Sequence, residues 1–211
     1  CSSDLYERGN PDFAKETSWG GEASLKFNRD GWSAGVTGYA SWFDNFIYET
    51  DTGLIEDDLP LYVFRQDKAR VWGFEFEGTA PIVQAGGFNI VADATADMTR
   101  AKITSGPYVP RIPPLRVRGG LEAQGDRVDA RAEVEWTDKQ TRIAPFETAT
   151  DGFTLVNASL TWRPLPDTKN LSLTLAADNI FDVDARRHAS FTKDYVPLAG
   201  RDIRITARAS F

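Results

Sequence analysis

Apolar and polar residues alternate along most of this chain of 211 residues. Every second residue from Ile203 to Phe211 is apolar, and the residues between them are polar or charged. The same pattern runs from Val128 to Trp136. A period of two is typical of a β-strand, whose successive side chains point to opposite faces. Similar segments lie at 19–28, 32–48, 72–77, 88–98, 113–123, 153–163 and 170–180. The alternation predicts about nine strands and an all-β fold.

The connections between these segments alternate in length. Short turns are expected at 28–31, 81–87, 125–126 and 164–170, and longer links at 49–60, 103–112, 140–151 and 181–200. Counted back from the C-terminus, every short turn lies at one end of the sheet and every long link at the other. This asymmetry is typical of antiparallel barrels in the bacterial outer membrane, which have short periplasmic turns and long extracellular loops. We therefore predict a transmembrane β-barrel.

The polar face of the predicted strands carries many charges. They are Glu75, Glu77, Asp93, Asp97, Arg116, Arg118, Glu122, Arg131, Glu133, Glu135, Arg204 and Arg208. An Arg or Lys facing lipid at the membrane midplane costs about 2–4 kcal/mol, so this face is expected to line the lumen, where opposite charges pair. We expect Glu75 and Glu77 to form ion pairs there. The six tryptophans lie near predicted strand ends, as an aromatic girdle would.

Composition excludes several functions. The net charge is −7 and the basic residues are scattered, which argues against nucleic-acid binding. A single cysteine excludes an internal disulfide and a thiolate metal cluster. With one histidine and no Gly-x-Ser-x-Gly motif, no nucleophile has a base, so the sequence does not indicate an enzyme. No apolar run approaches the length of about 20 residues that a membrane-spanning helix needs.

The predicted strand number indicates an incomplete barrel. Bacterial single-chain barrels have even strand numbers, and nine strands would leave an open edge in lipid. The opening segment, Cys1-Ser2-Ser3-Asp4-Leu5, looks like a translated sequencing adapter, so we expect the barrel sequence to comprise residues 6–211.

Several motifs resemble those of TonB-dependent outer-membrane receptors. Asn10-Pro11-Asp12 followed by Lys15-Glu16-Thr17-Ser18 is similar to the Asn-Pro-x-Leu-x-Pro-Glu-x-Ser phrase of that family, although Phe13 replaces Leu and Lys15 replaces Pro. Asn179-Ile180-Phe181-Asp182 resembles the Asn-Leu-Phe-Asp element near the family's C-terminus. Pro197, Gly200 and Arg201 resemble the Pro-Gly-Arg entry to the last strand. The terminal Phe211 resembles the signal read by the barrel assembly machinery.

We expect these motif residues to have structural rather than chemical roles. Asn179 and Asp182 can hydrogen-bond to the backbone where a strand gives way to a loop. Gly200 permits a tight re-entry into the final strand. We expect all of them to shape the barrel.

The resemblance implies active uptake across the outer membrane. It implies about nine C-terminal strands of a larger, 22-stranded barrel, a preceding plug that the TonB complex pulls, and a transported metal or metal chelate with no resident cofactor. Phe43-Asp44-Asn45-Phe46-Ile47-Tyr48, Arg111-Ile112-Pro113-Pro114 and His188-Ala189-Ser190-Phe191 further resemble the branch that contains zinc-uptake receptors. In that case His188 and Asp194 are the candidate metal ligands, with the rest of the site elsewhere, because zinc needs three or four ligands. An iron–siderophore complex is the other candidate cargo.

Two further alternatives remain open at this stage. One is a passive porin or another outer-membrane barrel protein. The other is a soluble β-sandwich binding module, in which the apolar face would point inward against a second sheet.

Overall fold

The computed structural model describes residues 6–165 and 171–210, and these form a single sheet of ten strands. The strands are β1 (Tyr6–Arg8), β2 (Thr17–Arg29), β3 (Trp32–Glu56), β4 (Leu59–Ala85), β5 (Phe88–Ile103), β6 (Arg116–Gln124), β7 (Val128–Thr137), β8 (Phe153–Trp162), β9 (Leu171–Asp178) and β10 (Asp202–Ala209). None of the described residues belongs to a helix that could cross a membrane. The predictions for Cys1–Leu5 and for Phe211 concern residues outside this range.

Strands β2 to β10 follow one another as an antiparallel meander, in the order of the chain. These nine strands are the nine that the alternation predicts. The short β1 is additional: it pairs in parallel with β4, with Tyr6 opposite Leu61. Strands β2 and β10 stand at the two edges of the sheet and do not pair with each other in the described residues. The structure is therefore an open part of a barrel wall, and the residues that the structure describes contain no second sheet to cover it, as a sandwich would require.

The longest strands correct one predicted loop. Residues 49–60 were expected to form a long link, but β3 continues to Glu56 and β4 begins at Leu59. Only Asp57 and Asp58 form the turn, and both have positive φ angles, 50° and 63°. Two consecutive residues with positive φ define a type I′ turn, which matches the twist of a hairpin. The hairpin extends the wall well beyond its neighbouring strands.

Two other boundaries also differ from prediction. Residues 81–85 belong to β4, with a register shift between Pro81 and Val83, and only Gly86 and Gly87 make the turn. Proline donates no backbone hydrogen bond, so it is tolerated in a sheet at such an irregularity. Strand β6 begins at Arg116 rather than at residue 113, because Pro113 and Pro114 cannot donate to a strand ladder.

The apolar face is exposed over most of the sheet, as a lipid-facing surface requires. Leu160 and Leu175 are paired across β8 and β9, and both are almost half exposed. The tryptophans of this face form two levels: Trp19, Trp42, Trp72 and Trp136 towards the long connections, and Trp32 and Trp162 towards the short turns. Trp32 and Trp42 are ten residues apart in β3. At about 3.3 Å per residue and a tilt of about 40°, that separation spans about 25 Å, the height of the apolar band in membrane barrels.

Candidate functional site

The three long connections at one end of the sheet fold together into what we call the loop layer, residues 104–115, 138–152 and 179–201. Its interior holds polar side chains that are almost fully buried, among them Gln140, Thr150, His188 and Lys193. Buried polar groups are costly unless they are hydrogen-bonded, so their partners indicate how the layer is assembled.

Gln140 joins the first two connections. Its Nε2 donates to the Ile112 carbonyl oxygen at 2.8 Å, and its Oε1 accepts from the Arg142 backbone at 3.1 Å. Its own backbone exchanges two hydrogen bonds with Thr150, at 2.9 and 3.2 Å. The second connection is therefore closed into a small two-stranded bridge that is fixed against the first.

Arg111 and Glu147 extend these contacts. Glu147 Oε1 accepts from the Arg111 backbone at 2.7 Å, and its Oε2 accepts from the Ala144 backbone at 3.0 Å. The Arg111 side chain reaches Glu49 of β3, with Nη1 at 2.6 Å from Oε1, and its guanidinium stands 4.3 Å above the Phe191 ring. Arg111 thus contacts the long hairpin and both of the other connections.

His188 is the buried histidine that the sequence singles out. Its Nδ1 lies 3.1 Å from Thr150 Oγ1, while its Nε2 has no hydrogen-bond partner among the described residues and lies 3.7 Å from Glu147 Oε1. Burial lowers the pKa of His188 below its ordinary value, and the opposing effect of Glu147 is smaller. The imidazole is therefore neutral at neutral pH. Its Nε2 is buried inside the loop layer and faces the Glu147 carboxylate.

Asp194, the other predicted metal ligand, has different partners from His188. The Thr148 hydroxyl donates to Asp194 Oδ1, and Lys193 Nζ lies 3.8 Å from the same oxygen. Lys193 Nζ also donates to the Thr148 carbonyl oxygen at 2.5 Å. The carboxylate beside His188 Nε2 is that of Glu147. Within residues 6–165 and 171–210, no three His, Cys, Asp or Glu side chains are grouped so that they could hold a metal ion.

A cavity of about 430 Å³ opens between the long hairpin and the loop layer. Its walls combine aromatic rings with charged groups: Tyr48, Glu49, Asp51, Arg65, Tyr108 and Phe146. Tyr62 packs edge-to-face on Phe146, with ring centroids 5.2 Å apart, which holds the second connection against β4.

The polar face of the sheet below the loop layer carries a network of ion pairs. Arg131 is its centre: Nη1 lies 2.5 Å from Asp93 Oδ1, and Nη2 lies 2.9 Å from Glu133 Oε2. Arg187 of the third connection pairs with Glu135 at 2.5 Å, which ties the loop layer to this face. The expected pairing of opposite charges is therefore present at these positions.

Glu75 and Glu77 differ from that expectation. Within residues 6–165 and 171–210 neither has a cationic nitrogen within 4.0 Å, so the expected ion pairs are not formed in this part of the chain. Both line an open cleft with Lys26, Arg116 and Arg118. Arg116 instead pairs with Asp97, which lies opposite Glu75 in the register of β4 and β5.

The motif residues near the end of the chain surround one strand-to-loop junction. Asn179 is buried with φ +48°; its Oδ1 accepts from the Val183 backbone at 2.9 Å, and its Nδ2 donates to the Val183 carbonyl at 2.9 Å. Asp182 Oδ1 accepts from the Arg201 backbone at 2.8 Å, and a Cβ on Gly200 would lie 2.7 Å from that oxygen. The Phe181 side chain is exposed, as is Pro197. These contacts shape the backbone at the entry to β10.

Sequence reasoning does not identify Gln140, Glu147 or Thr150 as members of the site. They lie in a connection without a recognised motif, 28 to 38 positions in sequence from partners such as Ile112, Arg111 and His188. The Arg111-Ile112-Pro113-Pro114 motif draws attention to that neighbourhood but does not indicate its partners.

These features define the class of protein: the wall of an antiparallel membrane β-barrel with a charged inner face and a folded loop layer at one end. Residues 2–180 match the family model described as TonB dependent receptor-like, beta-barrel. The chain belongs to this family.

Similar proteins agree with this assignment. The ferrienterobactin receptor of Escherichia coli (strain K12) is 27% identical over 191 residues, which cover 84% of this chain and 25% of that receptor. The solved structure of the copper transporter OprC matches 97% of this chain and 34% of its own with a TM-score of 0.82 and 23% identity. A mutant of the ferric enterobactin receptor PfeA from Pseudomonas aeruginosa matches 98% of this chain and 33% of its own, with a TM-score of 0.63 and 23% identity. This chain thus spans about a quarter to a third of these relatives, and the two structures show the fold alone.

Proposed function

We propose that this chain is the wall and loop end of a bacterial outer-membrane receptor that imports a ferric chelate by TonB-driven active transport. The observation that carries the proposal is the cavity of about 430 Å³ at the loop end, above a charged inner wall. That volume is within the range of about 300–1,000 Å³ that small-molecule sites occupy. The similarity to a ferrienterobactin receptor over 191 residues supports the choice of cargo.

The lining of the cavity favours a chelate over a bare metal ion. A bare ion takes its ligands from the protein, and the described residues offer no group of three suitable side chains. A chelate brings its own metal ligands and needs a surface that recognises an organic molecule. Tyr48, Tyr108 and Phe146 provide aromatic faces, and Arg65 provides a cation that no carboxylate of the described residues approaches within 4.0 Å.

The test is uptake of iron by cells that express the receptor as their sole route for a ferric catecholate chelate. We expect Arg65→Ala and Tyr108→Ala each to raise the half-saturating chelate concentration by about tenfold, the loss of one good contact. Asp58→Asn is the matched control, because Asp58 lies at the tip of the same hairpin and does not line the cavity. Equal uptake by all three variants would overturn the proposed binding site.

TonB dependence separates active uptake from the porin alternative. Uptake by a TonB-dependent receptor should stop when TonB is deleted or the proton gradient is collapsed. Uptake that persists under both conditions would instead support a passive barrel. The expected role of Phe211 in barrel assembly can be measured in parallel, as the loss of folded protein from the outer membrane when Phe211 is deleted.

A second candidate function is uptake of a zinc or other divalent ion, with His188 and Asp194 as ligands. The observation that favours it is His188 Nε2, which is buried without a hydrogen-bond partner beside Glu147. Calorimetric titration of the purified receptor with zinc tests it. If zinc is the cargo, His188→Gln should abolish a binding event that Tyr108→Ala leaves intact, and the absence of any zinc binding by the unaltered receptor would exclude it.

A further inference from the structure

Three cationic side chains, Arg70, Arg100 and Lys102, cluster on the outer, apolar face of the sheet, close to the loop layer. Arg70 lies opposite Lys102 in the register of β4 and β5, and Trp72 lies opposite Arg100. Directly paired residues share a face of a sheet, and this face is the one that carries Phe74 and Met98. Arg142, from the second connection, adds a further positive charge that acts on Arg100.

The cluster stands at the level of the upper tryptophans. The Arg70 guanidinium lies 5.2 Å from the Trp42 ring centroid and 5.1 Å from that of Trp72, and Trp42 is itself stacked on Trp19 at 4.3 Å. Tryptophan of a lipid-facing surface marks the level of the headgroups. The cations are therefore at the boundary between the apolar band and the headgroups, not at the membrane midplane.

These cations lack the counter-charges that those of the inner face possess. Within the described part of the chain, no carboxylate oxygen lies within 4.0 Å of a side-chain nitrogen of Arg70, Arg100, Lys102 or Arg142. On the inner face, by contrast, Arg116, Arg118 and Arg131 all lie within 4.0 Å of an acid.

Nearby polar groups do not neutralise the cluster. Arg100 Nη1 donates to the Thr99 carbonyl oxygen at 3.2 Å, and Lys102 Nζ stands 5.9 Å from the Tyr108 ring centroid. Asp138 also acts on Arg100, but its carboxylate is not within 4.0 Å of the Arg100 side-chain nitrogens. Three cations against this one acid leave an excess of positive charge on a surface that faces lipid.

We propose that this cluster binds a lipid of the surrounding leaflet through phosphate groups on its headgroup, with Arg70, Arg100 and Lys102 as the donors. Arg and Lys form their strongest hydrogen bonds with anionic oxygen, and phosphate supplies several such oxygens at once. The donors lie on two strands: Arg70 and Lys102 are opposite each other, and Arg100 is two residues further along β5. Because they are spread over this distance, the site fits a headgroup with two phosphates better than one with a single phosphate. The half-buried rings of Trp42 and Trp72, on the same face, would then flank the acyl chains of the same lipid. The site depends on the barrel being embedded in a membrane and is independent of the cargo.

The experiment uses the receptor purified from outer membranes in detergent, titrated with lipid A and with chemically dephosphorylated lipid A, and read by native mass spectrometry. We expect the unaltered protein to prefer the phosphorylated lipid. The triple variant Arg70→Gln, Arg100→Gln, Lys102→Gln should bind it at least about tenfold more weakly, since each cation near a membrane surface contributes to attraction for anionic lipid.

The control is Arg29→Gln. Arg29 lies towards the short turns, opposite Trp32, and is paired with Asp30, so its loss should leave lipid binding unchanged. If the triple variant does not yield folded barrel, the single variants Arg70→Gln and Lys102→Gln test the same site, and each should weaken binding by about threefold. Equal affinity for the two lipids, or binding that none of these variants weakens, would overturn the proposal. A failure of chelate uptake with intact lipid binding would count against the proposed cargo only.

Discussion

The guanidinium of Arg131 reaches across Gly120 to the carboxylate of Asp93, two strands away, with Nη1 at 2.5 Å from Oδ1. Gly120 stands between them in the register, opposite Asp93 on one side and Glu133 on the other. A Cβ on Gly120 would come within 3.0 Å of both partners. The ion pair therefore depends on a residue without a side chain at that position.

Loss of Arg131 should destabilise the wall. Arg131→Ala leaves Asp93, Glu122 and Glu133 close together without the cation they share, so we expect a loss of about 2–3 kcal/mol in the free energy of unfolding. Arg204→Ala is the control: Arg204 also contacts two acids, but it is more than half exposed, so solvent screens these pairs and their loss should have little effect on stability. Heat-induced mobility shifts of the folded barrel measure both, and similar losses for the two variants would contradict the central role of Arg131.

A side chain at position 73 should destabilise the protein. Tyr39 lies opposite Gly73 and passes over it to reach Thr99, with the two hydroxyl oxygens 2.8 Å apart. A Cβ at position 73 would come within 3.0 Å of the Tyr39 hydroxyl and of the Met98 carbonyl oxygen. Because the second of these atoms is backbone, we expect Gly73→Ala to cost about 1–3 kcal/mol, the range for overpacking.

The nearby Gly38 is the control for this substitution. A Cβ at Gly38 meets nothing within 4 Å, so Gly38→Ala should change stability by no more than about 0.5 kcal/mol. Thermal unfolding of the two single variants side by side gives the comparison. A Gly73→Ala protein as stable as the Gly38→Ala protein would show that the close approach is absent.

The loop layer should loosen in acid. Burial places the pKa of His188 below its ordinary value of 6.5, so the opened layer takes up a proton more readily than the closed one. The stabilisation by neutral His188 is thus fully present above about pH 6.5 and is lost as the pH falls through that value towards the lower folded pKa. Hydrogen exchange of residues 138–152 and 179–201 should therefore accelerate between about pH 7 and pH 5. His188→Gln should remove most of this pH dependence, and an unchanged profile in that variant would assign it to other groups.

Asn179 should be required for the third connection. Asn179→Ala removes both side-chain hydrogen bonds to Val183 and leaves a residue with a β-carbon at φ +48° without its local hydrogen bonds. We expect a loss of about 2–3 kcal/mol, concentrated in residues 179–201, which proteolysis of the intact receptor would detect as new cleavage. Asp184→Ala, at an exposed position of the same connection, should leave the cleavage pattern unchanged.

The sequence by itself determined the strands and their two faces. Alternation is a local property, since each residue's neighbours at i ± 2 share its face, and this holds for Val128–Thr137 as for Asp202–Ala209. The turn at Asp30 and Gly31 could also be predicted from the sequence, because an Asp-Gly pair favours the positive φ angles that both residues have. The Asp57–Asp58 turn lacks glycine, and for that reason the sequence suggested a loop where the structure has a hairpin.

Only the tertiary structure decided which side chains meet. His188 and Glu147 are 41 positions apart in the chain, and neither their residue types nor their spacing relates them; the packing of the three connections brings them to 3.7 Å. The cluster of outer cations was likewise decided by the tertiary structure. Arg70 and Lys102 interrupt the apolar alternation only as isolated exceptions, and they become a cluster because the register of β4 and β5 places them side by side. Periodicity is a property of consecutive residues within one strand, whereas a site depends on contacts between segments that are distant in sequence.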